Sequence, residues 1–374
     1  MIPQIQRKSN FEFLRIIALL LIVFHHMSVH GGVPFGSGTL FDDIYFQLLA
    51  FGGRVGVWIF VMISGYFLVN KTFKFRKMVK LMGECLFYNI LVVLFIFLFG
   101  IRVLNHHEII KACLPLGTYN WFASCYIVFY MFFPFVNVFL HKISRLQHLL
   151  FLLVGLVVWF LIPTLANTVT LQIPNWGSML VLFTYAYSFG AYIRFYYSDR
   201  VISPKYLAKL FFSLLGTYLI IEYLVYYLSK RFDFLNHDPV YLCHDSIFTI
   251  LFSMLLFLMF KNIHINYHYW INLIARTTFG IYLLHDNELI NDYLWQNILH
   301  IPAVYGSTYM VLKTLGIGVA IFIIGMVIDL IRIKLLEEPI FDWINPKLDE
   351  VQVKMERWYY NLTERISSVF IKIS

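Results

Sequence analysis

The chain has 374 residues, 60% of them hydrophobic and 13% charged, with 29 Lys and Arg against 21 Asp and Glu. Soluble domains carry about 25% charged residues, so this composition excludes a soluble globule and equally a disordered chain. Four cysteines without a CxxC pair exclude a secreted disulfide scaffold. What remains is an all-α, polytopic membrane helical bundle.

A membrane span needs about 20 mainly apolar residues, and ten stretches qualify: 11–29, 44–69, 78–100, 114–139, 147–166, 176–195, 207–228, 245–263, 270–290 and 308–332. The ninth is interrupted by Asn272, Arg276 and His285, and Pro134 lies inside the fourth. With the N-terminus placed inside, 21 basic residues, among them Arg7, fall in cytoplasmic segments and only four in outer ones. Cytoplasmic loops collect Lys and Arg, so both termini are expected in the cytoplasm. The net charge of +8 then reports topology, with no nucleic acid partner implied. The first span carries Arg15 and ends in His25-His26. It reads as a retained span of a multi-pass plasma-membrane protein rather than a cleaved leader. Beyond the tenth span, Leu348, Val351, Met355, Trp358, Leu362, Ile366, Val369 and Ile373 recur at three- and four-residue spacing. That pattern predicts an amphipathic helix on the inner leaflet or packed on the bundle. The expected organisation is a membrane domain, 1–334, and a cytoplasmic amphipathic tail, 335–374.

Ionisable residues inside a bilayer are costly and face the bundle interior or a water-filled cavity. Arg15 and His26 are eleven residues apart, which puts them within about 20° of each other around one helix and about 16 Å along it. Arg15 stands near the cytoplasmic end and His26 near the outer end, while His25 points about 80° away from that face. Glu12, one turn before Arg15, is placed to pair with it. Arg54, Asn120, Trp121, Glu222, His285 and Asp286 sort to the outer half; Ser64, Arg76, Glu84, Arg276 and Asp329 sort to the inner half. Adjacent histidines suggest a metal, but no third ligand has a recognisable spacing, and no metal is expected.

Four segments in order resemble the acyltransferase-3 family of integral membrane acyltransferases. They are FEFLRIIALLLIVFHH (11–26), VWIFVMISGYFLV (57–69) with the basic FKFRKMVK (73–80) after it, NWFASCYIVFYMFFP (120–134) and TTFGIYLLH (277–285). Tyr66 stands where Phe is commoner, and no Glu lies five residues after Trp121. The second departure removes an acidic group and leaves more of the chemistry to His26 and His285. The resemblance implies an O-acyltransferase that moves an acyl group, expected to be acetyl, from cytoplasmic acyl-coenzyme A to a hydroxyl of a cell-envelope glycan or lipid-linked saccharide.

The residues supply a physical route for that reaction. Arg15, Arg76 and Arg276, with Ser64 beside them, are candidates for binding the donor, since guanidinium forks suit its phosphates. His26 is the candidate general base, grouped with His285 and Glu12 as catalytic residues. Trp121, Arg54 and Asn120 are candidates for holding the acceptor. An acyl-histidine intermediate is the rival to direct attack. The competing class is a transporter or exporter in which Arg15, Arg54, His26, Glu222 and His285 line a substrate or proton path.

Overall fold

The computed structural model describes residues 8–116, 119–171, 178–236 and 238–373, with side chains through Arg357. Arg7, the first two residues of the sixth expected span, and the side chains of Trp358, Leu362, Ile366, Val369 and Ile373 lie outside this description. Among the described residues every regular element is helical. In chain order they are α1 (Ser9–Val29), α2 (Leu40–Leu68), α3 (Phe75–Leu98), α4 (His106–Ala112), α5 (Trp121–Lys142) and α6 (Arg145–Leu156). A π turn at Val157–Leu161 leads on into α7 (Ile162–Thr168). Next come α8 (Met179–Tyr196), α9 (Pro204–Ser229), α10 (Ile247–Asn262), α11 (Tyr269–Arg276) and α12 (Thr278–His285). After a π turn at Tyr293–Ile298 the chain forms α13 (Ile301–Val304) and α14 (Met310–Arg332). A last π turn at Ile333–Glu337 joins α14 to α15 (Glu338–Ile373).

Seven helices among the described residues are long and apolar enough to cross a membrane: α1, α2, α3, α5, α6 with α7, α9, and α14 running into α15. The chain is therefore a multi-pass membrane protein. Ten such helices were expected, and the other three expected spans fall on different objects for identifiable reasons. The sixth is α8, whose 18 residues are diluted by tyrosines and Arg194. The eighth is α10, only 16 residues long. The ninth is broken at Thr277, where the Thr277 and Thr278 hydroxyls donate to the carbonyls of Ile274 (2.8 Å) and Ala275 (3.0 Å). Threonine hydroxyls that bond the preceding turn compete with the helix ladder. Such a break is tolerated at membrane depth when protein surrounds it, and Thr277 is fully buried.

The centre of the bundle is α1 against α2, with α8 on the far side of α2. The α1–α2 approach is close because Gly53 and Gly56 face α1. A Cβ on Gly53 would stand 2.2 Å from the His25 ring, and one on Gly56 would stand 2.4 Å from the Ala18 carbonyl. Small residues at such crossings let backbones approach where lipid supplies no hydrophobic drive. This contact fixes α1 in rotation, and the rotation decides which histidine turns inward.

The expected division after residue 334 falls inside the π turn between α14 and α15, so the two are one continuous run of helix. α15 touches the bundle where Gln352 accepts from the Phe75 N–H (2.7 Å) and donates to the Phe73 carbonyl (3.2 Å). Val351 and Met355 of its apolar stripe stay exposed by the protein, as a helix lying at a membrane interface requires.

Candidate active site

His26 sits on the buried face of α1 and meets α12 end-on. Its Nδ1 is 3.0 Å from His285 Nε2, and its Nε2 is 3.2 Å from Asp286 Oδ1. His285 Nδ1 donates to the Ile281 carbonyl one turn back at 2.6 Å, a use of histidine that helix C-termini favour. That bond fixes the proton of His285 on Nδ1 and leaves Nε2 as an acceptor. His26 must then donate from Nδ1, which leaves its own Nε2 lone pair facing the Asp286 carboxyl. A lone pair and a carboxylate repel, so one proton is shared between His26 and Asp286.

The chain continues to His30, four residues on along α1. Its Nδ1 donates to Asp292 Oδ1 at 2.9 Å, and its Nε2 lies 3.7 Å from Asp286 Oδ1. Asn291 Nδ2 donates to that same Nε2 at 3.3 Å. Asn291 is held in this orientation because its Oδ1 accepts from the Asp292 N–H (2.8 Å). The loop after α12 is tied down on every side. Asn120 Nδ2 donates to the Asp286 carbonyl (3.1 Å), and Asn287 Nδ2 donates to Asn89 Oδ1 on α3 (3.0 Å). The Glu288 N–H donates to the Tyr119 carbonyl (3.1 Å). His26, His30 and Asp286 each turn one ligand atom into a space where the three lie within 4.8 Å of one another. A divalent cation would fit that spacing; a shared proton satisfies the same atoms.

At the other end of α1 a cavity of about 240 Å³ is lined by Arg15, Ser64, Lys80, Glu84, Tyr126, Arg276, Tyr282, Arg332 and Glu337. Arg15 Nη1 lies 3.3 Å from both Glu12 oxygens, and Arg276 Nη2 lies 3.0 Å from Glu338 Oε1. Lys80 pairs with Glu337 Oε1 at 2.5 Å. Deeper, Arg332 is surrounded by Glu84 (2.8 Å), Asp329 (2.6 Å) and Glu337 (2.8 Å). Ser64 Oγ is 2.7 Å from the Tyr126 hydroxyl. The cavity reaches Ile22, Phe122 and Tyr282. There the Tyr282 ring lies 6.5 Å from the ring of His26 and 6.3 Å from that of His285. One layer of side chains separates the two.

Arg15, Ser64 and Arg276 thus share a cavity, whereas Arg76 does not. It lines a separate recess with Lys74, Phe75, Asp349 and Gln352, because one helical turn along α3 it is Lys80 that faces the bundle. Glu12 lies some 21 Å of helix away from His26, as the partner of Arg15. His285 is brought to His26 and Asn120 to Asp286. Arg54 and Trp121 meet each other: the Arg54 guanidinium lies 4.5 Å over the Trp121 ring, and Arg54 Nε pairs with Asp245 at 3.1 Å. The Trp121 face offered to a sugar is therefore covered on that side by Arg54. His25 bonds the Ala50 carbonyl and braces α1 on α2. The cavity that holds Arg15 includes neither Arg54 nor Glu222. Sequence reasoning missed Lys80, Arg332, His30 and Asp292. Of these, His30 had a local signal in its four-residue spacing from His26, and Lys80 in closing the basic run 73–80.

The family model described as an acyltransferase domain, Acyl_transf_3, matches residues 8–330. The chain belongs to the acyltransferase-3 family. This acyltransferase is an acyl-transferring membrane enzyme, since members of the family are O-acyltransferases. The matched stretch holds α1, the cavity's Arg15, Lys80 and Arg276, the His26–His285 pair and Asp286, and it ends just before Arg332. None of the curated proteins and none of the solved structures matches the chain.

Proposed function

We propose that this acyltransferase moves an acetyl group from cytoplasmic acyl-coenzyme A to a hydroxyl of a cell-envelope glycan or lipid-linked saccharide, in the plasma membrane. In this reading the chain spans the bilayer ten times, with both termini cytoplasmic and the Lys8 end of α1 inside. The donor's phosphates sit among Arg15, Lys80 and Arg276 at the cavity mouth, where Arg276 exchanges the exposed Glu338 carboxylate for a phosphate and the partly exposed Arg15 guanidinium adds a second fork. The pantetheine arm runs inward past Ser64 and Tyr126 to Tyr282. The acceptor hydroxyl arrives from the other end and takes the place of the Asp286 carboxyl at His26 Nε2, leaving the shared proton on Asp286 and the Nε2 lone pair free.

His26 then acts as a general base. Its Nδ1–H is held by His285, which orients the ring and directs Nε2 at the incoming hydroxyl, as a third group does in hydrolytic triads. The observation that carries this reading is the geometry of the two ends: a cation-lined cavity stops one side-chain layer short of a buried, oriented histidine pair. Adding acetyl-CoA and deacylated envelope glycan to the purified protein in detergent is expected to release free thiol and form ester. Substrate flux across vesicles without thiol release would support the transporter class instead.

A further inference from the structure

His30 and Asp292 have no part in binding the donor or in the attack, yet they stand next in line after the His285–His26–Asp286 series, with His30 Nε2 3.7 Å from Asp286 Oδ1. We propose, resting on the acyl-transfer reading above, that the acceptor's hydroxyl proton leaves through Asp286, His30 and Asp292 to water at the His30 end. It does not cross to the departing thiolate. Exposure rises from the buried His26–Asp286 pair outward: those side chains are 7% and 4% accessible, His30 29%, and Asp292 71%.

The other groups around His26 offer no exit. His285 is bonded to the Ile281 carbonyl, packed by the perpendicular Trp295 ring, and otherwise faces an apolar recess lined by Leu91, Leu284 and Leu294 that offers no proton acceptor. His25 lies against His26 but bonds Ala50 on α2. Tyr282, on the cavity side, presents a phenol, which is a poor acceptor for a proton on imidazole. Asn291, which donates to His30 Nε2, holds the resting tautomer with the proton on Nδ1, pointing at Asp292.

The step balances. The hydroxyl O–H bond breaks and its proton goes to His26 Nε2. The oxygen forms the ester C–O bond, the thioester C–S bond breaks, and the thiolate leaves with the electron pair. Asp286 passes the proton it already shares to His30 Nε2 and is then free to take up on Oδ1 the proton newly arrived on His26 Nε2. His30 releases its Nδ1 proton to Asp292 and water, then returns to its resting tautomer by exchange with solvent. The 3.7 Å step between Asp286 and His30 closes with a shift of under 1 Å to hydrogen-bonding distance. The thiolate takes a proton from water at the cavity mouth. One proton therefore appears at the acceptor end for each thiol released at the donor end.

The test uses the full chain in proteoliposomes, with acetyl-CoA on the cavity side and deacylated envelope glycan on the other. A thiol reagent reads the first side and a membrane-impermeant pH dye the second. The expected result is close to one acceptor-side proton per thiol. Asp292→Asn, at an exposed position, and His30→Gln should each lower kcat about tenfold with KM for acetyl-CoA unchanged, as loss of a proton-transfer step does. Imidazole added on the acceptor side should restore the rate. Thiol release without acceptor-side protons would overturn the proposal, as would wild-type rates in both variants. Activity lost to a chelator and restored by zinc would overturn it too, making the His26, His30 and Asp286 cluster a cation site. Absence of thiol release by the wild-type protein would instead remove the acyl-transfer reading on which it rests, a result readable without the dye.

Discussion

At the Arg15 end of the path the charged side chains are many and share partners; at the His30 end they are few and each depends on the next. Arg276 rests on the exposed Glu338 carboxylate and Arg15, itself partly exposed, on the buried Glu12, while Glu337 serves Lys80, Arg276 and Arg332 together. His26, by contrast, has one partner at each nitrogen. Under the proposed function the difference follows from the chemistry each end would perform. Holding a polyanion tolerates several cations of approximate position, since point charges act at a distance. Proton abstraction demands a ring fixed in tautomer and direction, so each nitrogen is committed. Loss of one group is therefore expected to be graded at the first end and abrupt at the second.

The largest effect that sharpens this contrast is at His26. His26→Ala is expected to lower thiol release by about 10²–10⁴-fold, the usual contribution of a positioned base, with membrane insertion retained. A rate within threefold of wild type would break the assignment of this end to chemistry. Next in size is a loss of fold. Arg332→Ala leaves the Glu84, Asp329 and Glu337 carboxylates together around a buried gap. Removing one partner of a buried ion pair costs about 3–5 kcal/mol, read as a clear drop in the melting temperature of the detergent-solubilised protein. This cluster is the abrupt part of the donor end, because there the carboxylates are as buried as the cation.

How much of this was legible in the sequence depends on the range of the interaction. The helical period of α1 was enough to put Arg15 and His26 on one face and to turn His25 away. The interruptions at Asn272, Arg276 and His285 marked a weak ninth span, which the structure resolves as the break at Thr277. Long-range partners were not legible. That His26 would meet His285 and Asp286 follows from how α12 crosses α1. That Arg54 would cover Trp121 depends on α2 meeting the start of α5. Lys80 and Arg76 lie four residues apart on the same face of α3, so helical phase alone could not tell which would reach the cavity.

The remaining predictions separate the graded from the silent cations. Arg276→Ala removes one charge-assisted contact worth about 1.5–3 kcal/mol, which should raise KM for acetyl-CoA roughly ten- to a hundredfold while kcat changes little. A fall in kcat at unchanged KM would place Arg276 in the chemical step and break the contrast between the ends.

The smallest effect is expected from Arg76→Ala. In sequence Arg76 is as good a phosphate ligand as Arg276, sitting in the same basic run as Lys80. In the structure it faces Asp349 and Gln352 of α15, in a recess that shares no lining residue with the cavity. Its side chain is absent from the cavity lining, so it makes no direct contact with a ligand bound there. Thiol-release kinetics should therefore stay within twofold of wild type. Any change should appear instead in how firmly α15 docks, measured as protease sensitivity of the segment around Gln352. A tenfold rise in KM for acetyl-CoA in this variant would mean that the donor's phosphates reach beyond the cavity to the start of α3. The binding region would then include α15.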